Sequence, residues 1–234
     1  PLKKKLLEMN PFPHYNFKFE RPNIKGIHFS TVFNVVLDEI EKGNRKSLPC
    51  SVFWENERVI VLYDAYPKSK YHLLVLPKER KKTLKSVSHL SSSDIDTIQY
   101  MNEIGTRLID HLVDQESRLQ KKNSTRPQSI SKDDFQMGFH SIPSIHVVHL
   151  HVMSTDFNTP QMKRKDHWNS FTTSFFVKPS IILKQLSENG KIIVDPNAEQ
   201  IKKQALTFNK KTYPNIPDLK RYLKQVSKFT PGYN

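Results

Sequence analysis

Apolar residues at Phe33, Val36, Leu37 and Ile40 recur every three or four positions between Thr31 and Glu41, which predicts a helix with one buried stripe. Ser51 to Trp54 and Arg58 to Tyr63 read as two strands, with Glu55-Asn56-Glu57 as the turn between them. The run from His72 to Pro77 has the nearly unbroken apolar character of a buried strand. Ser91-Ser92-Ser93-Asp94 is a helix start, and Ile95, Ile98, Met101, Ile104, Leu108, Ile109 and Leu112 continue it at helical spacing, predicting a long amphipathic helix on the sheet. Lys121 to Asp134 carries almost no apolar residue and reads as a mobile insertion. Phe135 to Ser141 reads as a strand, and Ile145 to Ser154 as another. In an extended strand, side chains alternate between faces, so Val147, His149 and His151 point one way and Val148, Leu150 and Val152 the other. Towards the C-terminus the pattern predicts a helix over Ser180 to Ser187, a short strand over Lys191 to Val194 and an amphipathic helix over Ile216 to Val226.

At 234 residues the chain has room for one sizeable domain, or one domain with a small appendage. A hydrophobic share of 36% and a mean hydropathy of −0.60 point to long polar surface segments beside a modest core. No apolar run reaches membrane-spanning length, the first residues lack a signal-peptide pattern, and the single cysteine, Cys50, excludes an internal disulfide. Charge changes the picture more. Lysine plus arginine number 37 against 23 acidic residues, a formal charge of +14, which favours a polyanionic partner. A basic surface that only keeps the chain in solution is the plain alternative. Aromatic residues interleave with the basic clusters, as base stacking requires, and this favours nucleic acid. Residues 1–30, opening on Lys3-Lys4-Lys5 and rich in proline, read as a basic irregular arm.

The candidate chemistry lies in the histidines. His149 and His151 share a strand face, His140 sits on the preceding strand, and His72 opens another apolar run. Three readings compete: half-buried strand histidines; a zinc site with His-x-His spacing, against which stand the lone Cys50 and the lack of a nearby carboxylate in ligand rhythm; and a nucleophilic imidazole attacking phosphorus. His146, one step off the alternation, turns to the opposite face unless a bulge re-aims it. Asp64, just after a strand, is either an all-acceptor carboxylate for sugar hydroxyls or a turn cap. Lys68 and Lys70 place positive charge at the mouth of the next strand. The stretch from Gln161 to Phe171 mixes basic and aromatic residues that can neutralise a backbone and stack on a base, or else form a charged loop leading to a buried Trp168.

His149-Leu150-His151-Val152-Met153-Ser154, preceded by Pro143-Ser144, resembles the histidine-triad signature of nucleotide hydrolases and transferases. Gly138 to Ser144, Thr155-Asp156-Phe157, His167 to Phe171 and Asp64 to Pro77 more closely resemble the aprataxins, the histidine-triad family of DNA 5′-adenylate hydrolases of strand-break repair; the resemblance runs from about Phe33 to Lys224. One departure is Val147, where the first triad histidine is expected. The resemblance implies an α+β histidine-triad fold, an antiparallel sheet with packed helices over residues 31–175, plus a small finger-like αβ appendage for DNA binding over 176–234. It implies His149 as nucleophile, forming a histidine-AMP intermediate, with His151 on the phosphate oxygens and a protonated His140 assisting the leaving group. Ser144 and Lys68 bind the flanking phosphate, Asp64 the ribose, Leu37 the base, and Phe33 wedges against the DNA end; His72 is a core residue or a partner of the nucleophile. Lys163, Lys165 and His167 contact DNA, and Trp168 is structural.

Aprataxins carry a C-terminal zinc finger, but Phe208, Lys211, Tyr222 and Val226 stand at its ligand positions. The expectation is a finger-like remnant without zinc, packed through Leu206, Phe208, Ile216, Leu219, Tyr222 and Leu223, and no cofactor. The implied partner is DNA with 5′-adenylated nicks or ends, with RNA-DNA junctions as a further candidate. AMP is the product, no membrane is involved, and the protein is a nuclear monomer. Two alternatives stay open: a general nucleoside phosphoramidate or dinucleotide hydrolase, and a catalytically idle DNA-end binder made possible by Val147.

Overall fold

The computed structural model describes residues 11–16, 24–123 and 128–229. Lys3-Lys4-Lys5 and most of the expected basic arm lie outside the described residues. The elements in order are α1 (Val32–Glu41), β1 (Val52–Glu55), β2 (Val59–Tyr63), β3 (His72–Pro77), α2 (Ile95–Asn123), β4 (Phe135–His140), β5 (Leu150–Ser154), α3 (Lys165–Thr172), β6 (Phe176–Val177), α4 (Pro179–Asn189), α5 (Ala198–Ile201), β7 (Leu206–Phe208), β8 (Lys211–Tyr213) and α6 (Ile216–Val226). Strands β1 to β6 form one antiparallel sheet in the order β1-β2-β3-β5-β4-β6.

Alternation along the strands fills the two faces differently. Val59, Val61, Leu73, Val75, Leu150 and Val152 face α2 and α4, meeting Ile98, Met101, Ile104, Leu108 and Leu112 from one and Ile182 and Leu186 from the other. Ile60, Leu62, Leu74 and Leu76 face Val32, Phe33, Val36 and Leu37 of α1. Helix α2 begins as expected: Ser91 N–H and Oγ both meet the Asp94 carboxylate, at 2.9 and 3.2 Å. It lies close on the sheet because Gly105 faces it. A Cβ there would come within 2.8 Å of Met137 Sδ and 2.9 Å of Leu150 Cδ2.

The structure departs from the sequence reading in several places. Helix α2 runs on to Asn123, so the expected mobile insertion at 121–134 begins as helix and ends in a turn, Lys132–Asp134, held by a second Ser-Asp box. The last turns of α2 are buried by polar contacts rather than an apolar stripe: Glu116 accepts from Lys70 Nζ and Tyr71 Oη, both at 2.6 Å, and Gln120 Nε2 donates to Glu116 and to the Lys228 carbonyl. Residues 11–16 of the expected arm are docked, since Phe12 and Tyr15 are buried and Tyr15 exchanges two backbone hydrogen bonds with the Gln115 amide. The expected boundary between residues 175 and 176 runs through the sheet, because β6 pairs with β4 and α4 packs on α2. Lys191 to Val194 contributes only an isolated bridge, Lys191 to Ser91.

Beyond α5 a ββα unit packs on α3. Its hairpin turns at Asn209 and Lys210, both at positive φ, as a two-residue turn between twisted strands demands. Leu206, Tyr213, Ile216, Leu219 and Leu223 share a core with Met153, Phe157 and Trp168, and Trp168 Nε1 donates to the Thr207 carbonyl at 3.1 Å. Phe208 lies between Trp168 (ring centroids 5.6 Å) and Tyr222 (6.1 Å). Phe208 and Tyr222 thus meet as packed rings, while Lys211 and Val226 are exposed. These four side chains, without a thiolate or imidazole among them, do not fit a tetrahedral zinc ion.

Candidate active site

Strand β5 begins at Leu150, later than the alternating pattern suggests, and the five residues before it follow an irregular path. His146 N–H donates to Ser30 O, Val147 N–H to Lys85 O and Val148 N–H to Leu84 O, at 2.7, 3.0 and 2.8 Å. These bonds hold Val147 at φ +75°, a left-handed conformation that costs a β-branched residue energy. The Val147 side chain packs with the α1 core, and its carbonyl meets the ring two residues on, at 2.8 Å from His149 Nδ1. A carbonyl only accepts, so Nδ1 carries the proton and Nε2 keeps its lone pair. His146 lines a separate groove with Asn34, Arg80 and Lys85, away from the other histidines.

His72, His151 and His140 stand on the neighbouring strands β3, β5 and β4, which brings residues distant in sequence into one row. Ring centroids are 5.2 Å apart for His72 and His151, 4.5 Å for His151 and His140, and 4.9 Å for His151 and His149. The protons along this row follow from its hydrogen bonds. Lys68 N–H donates to His72 Nδ1 at 3.1 Å, so neutral His72 carries its proton on Nε2, which lies 3.0 Å from His151 Nδ1. His151 therefore accepts at Nδ1 and carries its own proton on Nε2. That buried atom has no protein partner among the described residues, and neither does His140 Nε2. The row thus leaves the His151 Nε2–H donor and the His140 Nε2 atom without protein partners among those residues, on two side chains that line the cavity.

Burial pushes all four rings below their ordinary pKa. His72 falls to about 4, burial being opposed by Asp64 and reinforced by Lys68 and His149. His140 and His151 fall well below 6.5, through burial and then through the neighbouring imidazoles. His149 is also lowered by burial, partly offset by its bond to Val147 and by Asp64. Burial therefore favours the neutral ring of His140, expected from the resemblance to act in its protonated form; the charge of a phosphate in the cavity would push its pKa back up. Burial raises Asp64, but His72, Lys68 and the Tyr66 N–H together outweigh it and hold the carboxyl below its usual range.

The histidines open into a cavity of about 450 Å³. Of the expected site residues, Asp64, Lys68, His140, Ser144, His149, His151, Phe33 and His167 line it. Asp64 caps the turn, with Oδ1 accepting the Tyr66 N–H at 2.7 Å, while Oδ2 lies 3.4 Å from His72 Nε2 beside the cavity. His72 lies behind the wall, fully buried. Two of the expected contact residues are buried. Leu37, expected at the base, is 2% exposed in the core between α1 and the sheet. Phe33, expected as a wedge against the DNA end, lines the cavity but is also 2% exposed, edge-on to His149 with centroids 5.0 Å apart. The exposed rings at the cavity are Phe29 and Tyr66, 43% and 37% exposed and 6.5 Å apart; no periodicity singles them out. Lys163 and Lys165 are exposed outside the cavity lining. His167, lowered to about 4 by burial with Lys68 and Arg164 nearby, accepts from Lys163 N–H and is neutral. Trp168 is structural, as expected. The sequence reading also missed Arg164, paired with Asp166 through two nitrogens, and Lys202.

Asp64, His72 and His151 form the one group among the described residues with metal-ligand spacing, so a carboxylate does lie where the sequence reading found none. Both nitrogens of His72 and Nδ1 of His151 are committed to the hydrogen-bonded row, which leaves this group poorly suited to a metal ion.

Comparison with known proteins bears on this arrangement. The profile of a family described as "Scavenger mRNA decapping enzyme C-term binding" matches residues 34–167, more than half of the chain. The chain is 33% identical over 174 residues to aprataxin from Gallus gallus, covering 74% of this chain and 49% of that protein. To aprataxin from Danio rerio it is 34% identical over 173 residues, covering 73% and 48%. The chain belongs to the histidine-triad superfamily, within its aprataxin family. It spans about half the length of these relatives. In three dimensions this aprataxin-family chain is similar to the crystal structure of the aprataxin ortholog Hnt3 in complex with DNA, with a TM-score of 0.65 at 20% identity over 85% of this chain and 94% of that one. That likeness is one of fold, and with it the expected α+β histidine-triad architecture is established.

Proposed function

We propose that this chain is a DNA-binding hydrolase that removes AMP from adenylated DNA 5′ ends through a histidine-AMP intermediate, as a step of nuclear strand-break repair. The observation that carries the reading is the pairing of His149 Nε2, freed as a lone pair by the Nδ1 bond to Val147, with the unpartnered Nε2–H of His151 beside it. Nε2 of His149 attacks the adenylate phosphorus. The bond from phosphorus to the bridging oxygen breaks and the electron pair leaves with the 5′-phosphate. Positive charge spreads over the phosphorylated ring, where the Val147 carbonyl stabilises Nδ1–H. His151 Nε2–H and the His140 ring hold the phosphoryl oxygens, Lys68 adds charge, and Asp64 accepts from the ribose. Such donors act most strongly in a site that water does not dominate. Water then displaces the imidazole and AMP leaves. The main-chain carbonyl of Val147 fixes the nucleophile, so the lack of a histidine side chain there does not argue for an idle binder.

DNA as the partner is supported by the formal charge of +14, by the exposed Phe29 and Tyr66 rings at the cavity, and by the DNA-bound relative of the same fold. A cavity of about 450 Å³ holds one nucleotide, so a small nucleoside phosphoramidate is the second reading. The test is single-turnover trapping of labelled AMP from a 5′-adenylated nick. Wild type should carry label and His149→Ala should not, while DNA affinity stays the same. Turnover of a small adenosine phosphoramidate far above that of the nick would favour the second reading, and label on the His149→Ala variant would overturn both.

A further inference from the structure

The cavity has two ammonium groups, placed at the two ends of the histidine row. His72, His151 and His140 follow one another across β3, β5 and β4, and β6 lies beyond β4. Lys68, just before β3, belongs to the His72 end. Lys202, just after α5, belongs to the other end and is the one lining residue, among those described, from beyond Phe175. Its ammonium lies over the Phe175 ring at 4.8 Å, and that ring lies 5.4 Å from His140. The backbone there is fixed, because the buried Asn169 amide donates to the Lys202 and Gln204 carbonyls at 3.0 and 2.8 Å. The side chain is less constrained: its ion partner is Glu199, 3.1 Å away and 50% exposed. A surface pair of that kind is worth at most about 1 kcal/mol and gives way easily to a better anion.

We propose that Lys202 binds the departing phosphate, making the cavity selective for adenylates whose leaving group is itself a phosphate. The inference rests on the adenylyl-transfer reading above. Asp64, beside His72, sets the ribose end, so the leaving group points towards His140 and Lys202. As the His149–phosphorus bond forms and the bond to the bridging oxygen breaks, that oxygen keeps the electron pair. The leaving phosphate goes from one negative charge to two. An ammonium beside it gains most in the transition state, where that charge develops. A leaving amine develops no such charge.

The test measures single-turnover AMP release by wild type, Lys202→Ala and Lys202→Arg from diadenosine diphosphate, from adenylated nicked DNA and from an adenosine phosphoramidate. Lys202→Ala should lower the ratio of diphosphate to phosphoramidate rates about 10–100-fold, through the maximal rate rather than the half-saturating concentration, and Lys202→Arg should recover most of it. An unchanged ratio overturns the proposal, as does a wild type that releases AMP from the phosphoramidate alone. If Lys202→Ala melts early, Lys202→Gln keeps the stem and is read in its place. A wild type that cleaves diadenosine diphosphate but not adenylated DNA refutes the DNA reading and leaves the Lys202 ratio to be judged on the small substrate.

Discussion

Replacing His72 tests the proton order along the histidine row. In His72→Phe the Lys68 N–H and His151 Nδ1 both lose their partner in a buried site. Two such orphans at about 1–3 kcal/mol each predict a loss of about 2–6 kcal/mol in stability. With nothing donating to its Nδ1, His151 is free to hold its proton there, turning a lone pair towards the phosphate where a donor is needed. Loss of one such donor costs about 10²–10³-fold in rate. His72→Gln separates the two effects, because a glutamine amide can accept from Lys68 N–H and donate to His151.

Acid stability gives an independent reading of the same ring. The fold holds His72 neutral, with a pKa of about 4 against its ordinary 6.5, so the unfolded chain takes up the extra proton first. Stability from this ring is therefore full above pH 6.5 and lost as pH falls from 6.5 to 4, by about 3 kcal/mol in all at about 1.4 kcal/mol per tenfold. The Gln variant should lose that part of the acid slope. Urea unfolding at pH 7 and pH 5, together with single-turnover AMP transfer at pH 7, measures both effects. A folded Phe variant within threefold of the wild-type rate, or a Gln variant as impaired as Phe, would refute the proton order proposed for the row.

Three further outcomes are expected. Because burial holds His149 neutral, formation of the AMP adduct should be independent of pH around 7 and fall only on the acid side of 6.5; a falling limb centred at or above 7 would contradict the assignment. Phe29→Ala should weaken binding of nicked DNA by about 1–3 kcal/mol with little change in melting, whereas the buried Phe33→Ala should lower stability by about 3–5 kcal/mol, and equal effects on melting would count against this distinction. A strong chelator should leave unfolding of the ββα unit unchanged, while Tyr222→Ala should destabilise it by about 1–2 kcal/mol; calorimetry with and without chelator decides.

The helix α1, strands β1 to β5 and the start of α2 are legible in the sequence because their signals are local: apolar periods, turn residues and a Ser-Asp cap. The later turns of α2 were not, since Gln115, Glu116 and Gln120 are buried through hydrogen bonds to Tyr15, Lys70 and Lys228, which lie far away along the chain. The packing at Phe208 and Tyr222 followed from the family resemblance and the helical period over Ile216 to Val226, whereas the short strands β7 and β8 carry no alternating signal that the sequence reading used.

The candidate site divides the same way. Alternation along one strand, with the family motif, was enough to put His149 and His151 on one face and to leave His146 off it. The row His72-His151-His140 required the strand order β3-β5-β4, which no local pattern specifies. The direction of the Val147 carbonyl, and so the free lone pair of His149, depends on hydrogen bonds to Leu84 and Lys85, far earlier in the chain. Which aromatic ring is exposed, Phe29 rather than Phe33, and which distant lysine reaches the cavity, Lys202, are matters of packing across the whole fold. Sequence by itself therefore supplied the candidate histidines and the face they share. Tertiary structure alone decided where their protons reside and what surrounds them, because proton position and burial depend on neighbours that only folding brings together.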